Sequence, residues 1–206
     1  TSIRALAQTE NEQLPPNVRG PLNRSQEQFK DWKFGLFIHW GLQSLPEAQQ
    51  DPAHFTAEKF SSRAWVDLAK SAGMRYIVFT SKHHDGFALF NTALSDFSSP
   101  HSPARRDFFK LLVEECRRQG MPLFAYFSLP DLHRPEFPRA KRFYPKTSLG
   151  QAVRESARPE EWREYTEFMR GQVKELGTRY GRLAGFWFDV GPYNGVNYPY
   201  EVGELE

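Results

Sequence analysis

A parallel α/β fold is predicted for this 206-residue chain. Two observations carry the prediction. Four short apolar runs, 34–40, 76–81, 122–128 and 185–189, are separated by stretches of helical periodicity, giving the order βαβαβαβ. The runs YIVFTS and PLFAYFS are almost continuously apolar, as expected of parallel strands covered on both faces. Strands alternating with helices imply a parallel sheet with crossover connections.

The elements follow in order. Residues 1 to about 24 are polar, with Pro15, Pro16 and Pro21, and read as an extended arm. Ser25 is placed to cap a short helix running to Lys33, with Glu27 in its first turn. FGLFIHW, Phe34 to Trp40, is the first strand, closed by Gly41. A helix over 60–73 takes Ser61 or Ser62 as its cap, Trp65, Leu68 and Ala69 as its apolar stripe and Gly73 as its stop. The second strand, 76–81, runs into a loop from Lys82 to Phe87. The next helix, 107–119, turns Phe108, Leu111, Leu112 and Cys116 inward and stops at Gly120. After the third strand, a Pro- and Arg-rich loop from Leu129 leads to Pro159, which suits the first turn of a long helix ending at Arg179. The fourth strand is 185–189.

Composition narrows the function classes. With 27 basic and 25 acidic residues the net charge is +2, too balanced for a nucleic-acid footprint. The single cysteine, Cys116, excludes an intrachain disulfide and reads as a buried thiol. No apolar run approaches the roughly 20 residues needed to cross a membrane. No signal peptide is read in the sequence, and the compartment stays unknown, a secreted or periplasmic place being compatible with a processed leader. Neither GxGxxG nor GxxxxGK[ST] occurs, which argues against dinucleotide and P-loop chemistry.

Each predicted strand ends in chemistry-bearing residues. The first ends at His39, Trp40 and Gly41; the second runs into His83, His84, Asp85 and Gly86; the third ends at Tyr126, Phe127 and Ser128; the fourth ends at Asp189. Polar groups collected at the carboxyl ends of parallel strands form a site in a barrel or an open sheet. Taken alone, Asp189 reads as a turn or helix cap, and His39 as a satisfied core histidine. Adjacent His83, His84 and Asp85 are poorly spaced for zinc, so no metal and no cofactor are expected. Ser128 lacks a GxSxG elbow, which argues against a hydrolase triad. Neutral donors and aromatic rings around one carboxylate suit glycosidase chemistry, which uses a second carboxyl as acid/base.

Lys33 to Leu42 (KFGLFIHWGL), Phe55 to Phe60, Thr80 to Phe87 (TSKHHDGF), Tyr126 to Ser128 and Trp187 to Asp189 resemble, in order, glycoside hydrolase family 29, the α-L-fucosidases. The resemblance spans about 29–191 and implies a retaining exo-glycosidase with a fucosylated glycan or fucoside as partner. It implies Asp189 as nucleophile, forming a fucosyl-enzyme intermediate, and His39, His83 and His84 as ligands of the sugar hydroxyls. Trp40, Tyr126 and Trp187 are further expected sugar contacts. Two departures stand out. Phe127 occupies a position where the family pattern has tyrosine, so a hydroxyl contact is expected to be missing. The loop after the first strand is shortened, with Glu47 as the nearest stand-in for its glutamate as acid/base or sugar ligand. Asp131, Glu136, Glu201 and Glu204 are other candidate acids.

The resemblance implies a complete or near-complete (β/α)8 barrel followed by a β-sandwich, and four βα units are read here. The expectation is therefore an arm over 1–28 and half of a (β/α)8 TIM-like barrel over 29–206, without a C-terminal β-sandwich. An uncovered apolar sheet face and unpaired strand edges would be covered by self-association into a homo-oligomer. The competing functions are a non-catalytic fucose-binding fragment and one half of a split fucosidase.

Overall fold

The computed structural model describes residues 23–137 and 158–189. The chain divides into two compact units, Thr1–Lys33 and Phe34–Glu206, where the sequence suggested a boundary after residue 28. In the first unit, helix α1 spans Arg24–Trp32. Its cap is Asn23 rather than the expected Ser25: the Asn23 side chain accepts from the Gln26 N–H at 2.9 Å, and Gln26 Oε1 accepts from the Asn23 N–H at 2.8 Å.

The second unit carries the sheet and three longer helices. Its described elements are β1 (Leu36–Ile38), α2 (Ser62–Ser71), β2 (Ile77–Lys82), α3 (Phe108–Gln119), β3 (Leu123–Ser128), α4 (Pro159–Arg179) and β4 (Gly185–Asp189). The strands lie in the order β1-β2-β3-β4, and every neighbouring pair is parallel. The predicted element order is thus observed. Caps follow local chemistry: Ser61 receives the Ala64 N–H, and Asp107 receives that of Lys110. Gly120 ends α3 in the left-handed region at φ 68°, which its missing Cβ permits. Pro159 opens α4, where its absent N–H costs nothing.

Alternation along the strands separates two faces. Ile38, Ile77, Phe79, Leu123, Ala125, Phe127, Phe186 and Phe188 join one apolar cluster with Val66 and Ala69 of α2, Phe108, Phe109 and Leu112 of α3, and Tyr165, Met169 and Val173 of α4. Phe37, Val78, Phe124, Tyr126 and Trp187 stand outside that cluster, on the opposite face, as a strand's period of two requires. Phe37 and Trp187 remain 42% and 45% exposed there. One irregularity interrupts the alternation. β2 pairs Thr80 with Tyr126 but Lys82 with Phe127, so a bulge absorbs one residue at the end of the strand that leads into His83 and His84.

Among the described residues, no helix is long and apolar enough to cross a membrane.

Candidate functional site

The carboxyl ends of the four strands bring His39, His83, His84, Tyr126 and Asp189 together on the sheet face opposite the helices. β1 delivers His39 just past Ile38. Thr80 of β2 fixes that exit: its hydroxyl donates to the Ile38 carbonyl at 3.0 Å and accepts the Trp40 N–H at 3.1 Å. The imidazole of His39 then meets that of His83 with ring centroids 4.6 Å apart and the phenol ring of Tyr126 at 5.0 Å. The rings of His83 and His84 are tilted against each other with centroids 3.8 Å apart. At the bulged end of β2, both imidazoles can turn to one side although adjacent strand residues would not.

β3 and β4 supply the carboxylate and its partner. Their register places Ser128 beside Asp189 and Tyr126 beside Trp187. The Tyr126 hydroxyl donates to Asp189 Oδ2 at 2.5 Å and lies 2.9 Å from Ser128 Oγ. A phenol donating to a carboxylate is a charge-assisted bond, and it fixes the direction of the carboxyl group. Below this level Phe37 packs edge-on to Trp187 at 5.3 Å and to Tyr126 at 5.7 Å. Phe37 and Trp187 form an apolar floor.

The electrostatics keep two of the imidazoles neutral. Burial pushes His84 down to about 4, with His83 adding to the shift and Asp85 and Asp189 opposing it. His39 is lowered for the same reasons, burial first and His83 second. A neutral imidazole offers one donor and one acceptor, which matches a sugar hydroxyl. Asp85 stands 3.8 Å from His83 Nδ1, beyond hydrogen-bond distance, and its Oδ1 accepts the Phe87 N–H at 2.8 Å. No group of three His, Cys, Asp or Glu side chains suited to a metal occurs among the described residues.

Several sequence readings change. Trp40 is a core residue rather than the expected sugar platform. It follows His39 and so faces the other side of the sheet, packed on Phe55, Phe60, Trp65, Phe79 and Phe108 at 5.1–6.3 Å. Trp187, by contrast, stays on the site's face, two residues before Asp189, with its ring packed on Phe37. The Phe127 ring is fully buried on the helix-covered face, so a tyrosine hydroxyl at that position would not enter the site. Glu47 is exposed on a short 3-10 turn, Glu47–Gln49, and no described side-chain bond links it to Asp189 or the histidines. Asp131 is withdrawn as an acid: it is 1% exposed and paired with Lys82 at 2.9 Å. Glu136 is engaged by Arg134 at 2.9 Å. Glu201 and Glu204 lie outside the described residues. Ser128, a strand-end residue without the elbow of a nucleophile, joins the Tyr126–Asp189 network instead, as its position two residues after Tyr126 on one strand signals.

A family model for α-L-fucosidase matches residues 48–198. The chain belongs to the α-L-fucosidase family. The matched span takes in His83, His84, Tyr126 and Asp189. Alpha-L-fucosidase 1 of Arabidopsis thaliana is 28% identical over 201 residues, which cover 91% of this chain and 35% of that protein. The chain thus spans about a third of the length of that curated relative. Among solved structures, an α-L-fucosidase of Lactobacillus casei in complex with α-L-fucose product superposes with a TM-score of 0.69 at 28% identity, covering 82% of this chain and 62% of that one. A covalent intermediate of a family 29 α-L-fucosidase from Bacteroides thetaiotaomicron, trapped with 2-fluoro-fucosyl fluoride, gives 0.65 at 25% identity, covering 82% and 42%.

Proposed function

We propose that this chain carries the nucleophile side of a retaining α-L-fucosidase site. Asp189 is the nucleophile: its carboxylate attacks the anomeric carbon of a terminal α-L-fucose, the glycosidic bond breaks, the aglycone leaves as its alcohol with a proton from the acid/base carboxyl, and a fucosyl ester forms on Asp189. Water, giving a proton back to that acid/base, then attacks the same carbon, releasing fucose and restoring the Asp189 carboxylate. His39, His83 and His84 hold the hydroxyls of the ring. Tyr126 keeps Asp189 aimed, and the Phe37 and Trp187 floor gives the sugar an apolar surface. The single observation that carries this reading is the Tyr126–Asp189 bond, set at the strand ends beside three clustered imidazoles. Family membership and the trapped intermediate of the Bacteroides relative support the chemistry.

The second carboxyl, the acid/base, belongs about 5–5.5 Å from Asp189 in a retaining enzyme. No described carboxylate is bonded into the Tyr126–Asp189–Ser128 network beside Asp189 itself. In this reading the acid enters from chain outside the described residues or from another subunit. The half-exposed Phe37, which lies below the level of the imidazoles, supports a closed assembly in which a second copy covers that lower part of the open face and leaves the strand ends to the sugar. Light scattering at micromolar concentration should then give a mass above that of one chain; a stable monomer argues against self-association. For the function itself, Asp189→Ala should abolish release of an aryl leaving group from an α-L-fucoside, and an unchanged rate would remove Asp189 from the role.

A further inference from the structure

Lys82 and Asp131 form an ion pair that the glycosidase chemistry does not use. Lys82 Nζ is 2.9 Å from Asp131 Oδ2, and the two side chains are 0% and 1% exposed. The ammonium lies 4.4 Å from the centre of the Phe127 ring and 5.7 Å from that of Phe168, on the helix-covered face. Burying two charges is costly, and an apolar pair of similar size is often as stable or more so. Stability alone therefore does not explain this pair. Its location does: Lys82 is the last residue of β2, immediately before His83 and His84.

The bulge gives the pair its consequence. Thr80 faces the site, and in regular alternation Lys82 would face it too while His83 pointed to the helices. The shift between Thr80 and Lys82 reverses this parity. Lys82 goes to the core and His83 meets His39. Asp131 holds the reversed register from the neighbouring strand's loop. Its Oδ1 is itself fixed by the N–H groups of His133 at 3.0 Å and Arg134 at 3.1 Å. The next residue, Leu132, donates its N–H to the His84 carbonyl at 2.8 Å. Gly86 completes the fit. At φ 87° it lies against Asp131 so closely that a Cβ would sit 2.4 Å from Oδ1.

We infer that Lys82 and Asp131 are positioning residues: their buried ion pair locks the β2 bulge and thereby aims His83 and His84 at the sugar. This rests on the fucosidase reading for its kinetic consequence, but the geometric part stands without it. The pair acts on binding of the ring rather than on the Asp189 carboxylate, which another strand holds.

The test replaces the pair by Lys82→Met with Asp131→Asn. The amide still accepts the His133 and Arg134 N–H groups, and the thioether fills the space over Phe127. With an aryl α-L-fucoside, KM should rise about tenfold or more while kcat stays within about threefold, the pattern of lost ground-state and transition-state binding together. Side-chain NMR of the imidazoles should show His84, now less enclosed by His83, His39, Asp85 and Asp189, titrating closer to the ordinary histidine range. A folded variant with KM and histidine titration both unchanged overturns the proposal; so does one that loses only thermal stability. Should the double variant fail to fold, Gly86→Ala, which pushes a methyl at Asp131 while leaving both charges, separates the same outcomes through the same two readouts. Absence of turnover in the unmodified protein would instead count against the fucosidase reading, and the NMR titration would still decide the positioning role.

Discussion

The phenol of Tyr126 and the carboxylate of Asp189 meet at 2.5 Å across adjacent parallel strands. The strands are paired so that Tyr126 is level with Trp187, and its hydroxyl reaches two residues further along β4 to the acid, which is itself level with Ser128. The carboxylate is half-buried, and its Oδ2 is directed by a donor that the backbone of β3 fixes.

Removing that donor should slow the chemistry without unfolding the protein. A hydrogen bond to a charged group contributes about 1.5–3 kcal/mol. Tyr126→Phe should therefore lower kcat on an aryl α-L-fucoside by about tenfold or more, with KM changed far less. Equal loss in Ser128→Ala would shift the weight to the Ser128 side of the network.

His84 makes stability depend on pH. Its folded value, about 4, lies below the ordinary 6.5 because burial disfavours the cation. Between those values the unfolded chain binds a proton that the folded chain does not. The contribution is thus full above about pH 6.5 and is lost as the pH falls towards 4. Discounted for solvent contact, it amounts to about 1–2 kcal/mol. Urea unfolding at pH 7 and pH 5 should show this loss, and His84→Gln should reduce it.

Trp40 separates core from site. Trp40→Phe should cost about 1–3 kcal/mol in chemical denaturation, because it leaves space among Phe55, Phe60 and Phe108. KM for a fucoside should stay within about twofold, since the ring does not face the sugar; a large rise in KM would restore it as a platform.

Cys116 should be inert. Burial, assisted by the charge of Glu115, pushes its thiol up to about 12. Iodoacetamide should modify it only after denaturation. Labelling of the native protein at neutral pH would show that α3 opens.

Most of the fold was legible because each strand is an apolar run too short for a helix and each helix ends at a cap or glycine. Ser61, Pro159 and Gly120 all act where local chemistry placed them, while Asp107, read as the first residue of its helix, is the cap before it. Asn23 and Ser25 are both capping residues two positions apart, and propensity does not choose between them. The strand-end site was legible for the same reason, since His39, the His83–His84 pair, Tyr126 and Asp189 each lie at or near the end of an apolar run. Trp40 could have been assigned to the core by strict alternation, as it follows a site-facing His39. The bulge at Lys82 could not. Lys82's partner there is Asp131, 49 positions away, and an aspartate in a proline-rich loop reads as a candidate acid until that partner is in view. Phe127 was misjudged by the same parity: its neighbour Tyr126 faces the site and it faces the helices.

Mass spectrometry after reaction with 2-fluoro-fucosyl fluoride tests the central assignment most directly. One fucosyl adduct is expected, on the peptide containing Asp189, and it should be absent in Asp189→Asn. An adduct on any other residue, or hydrolysis of α-L-fucosides that survives in Asp189→Asn, would overturn the assignment of the nucleophile.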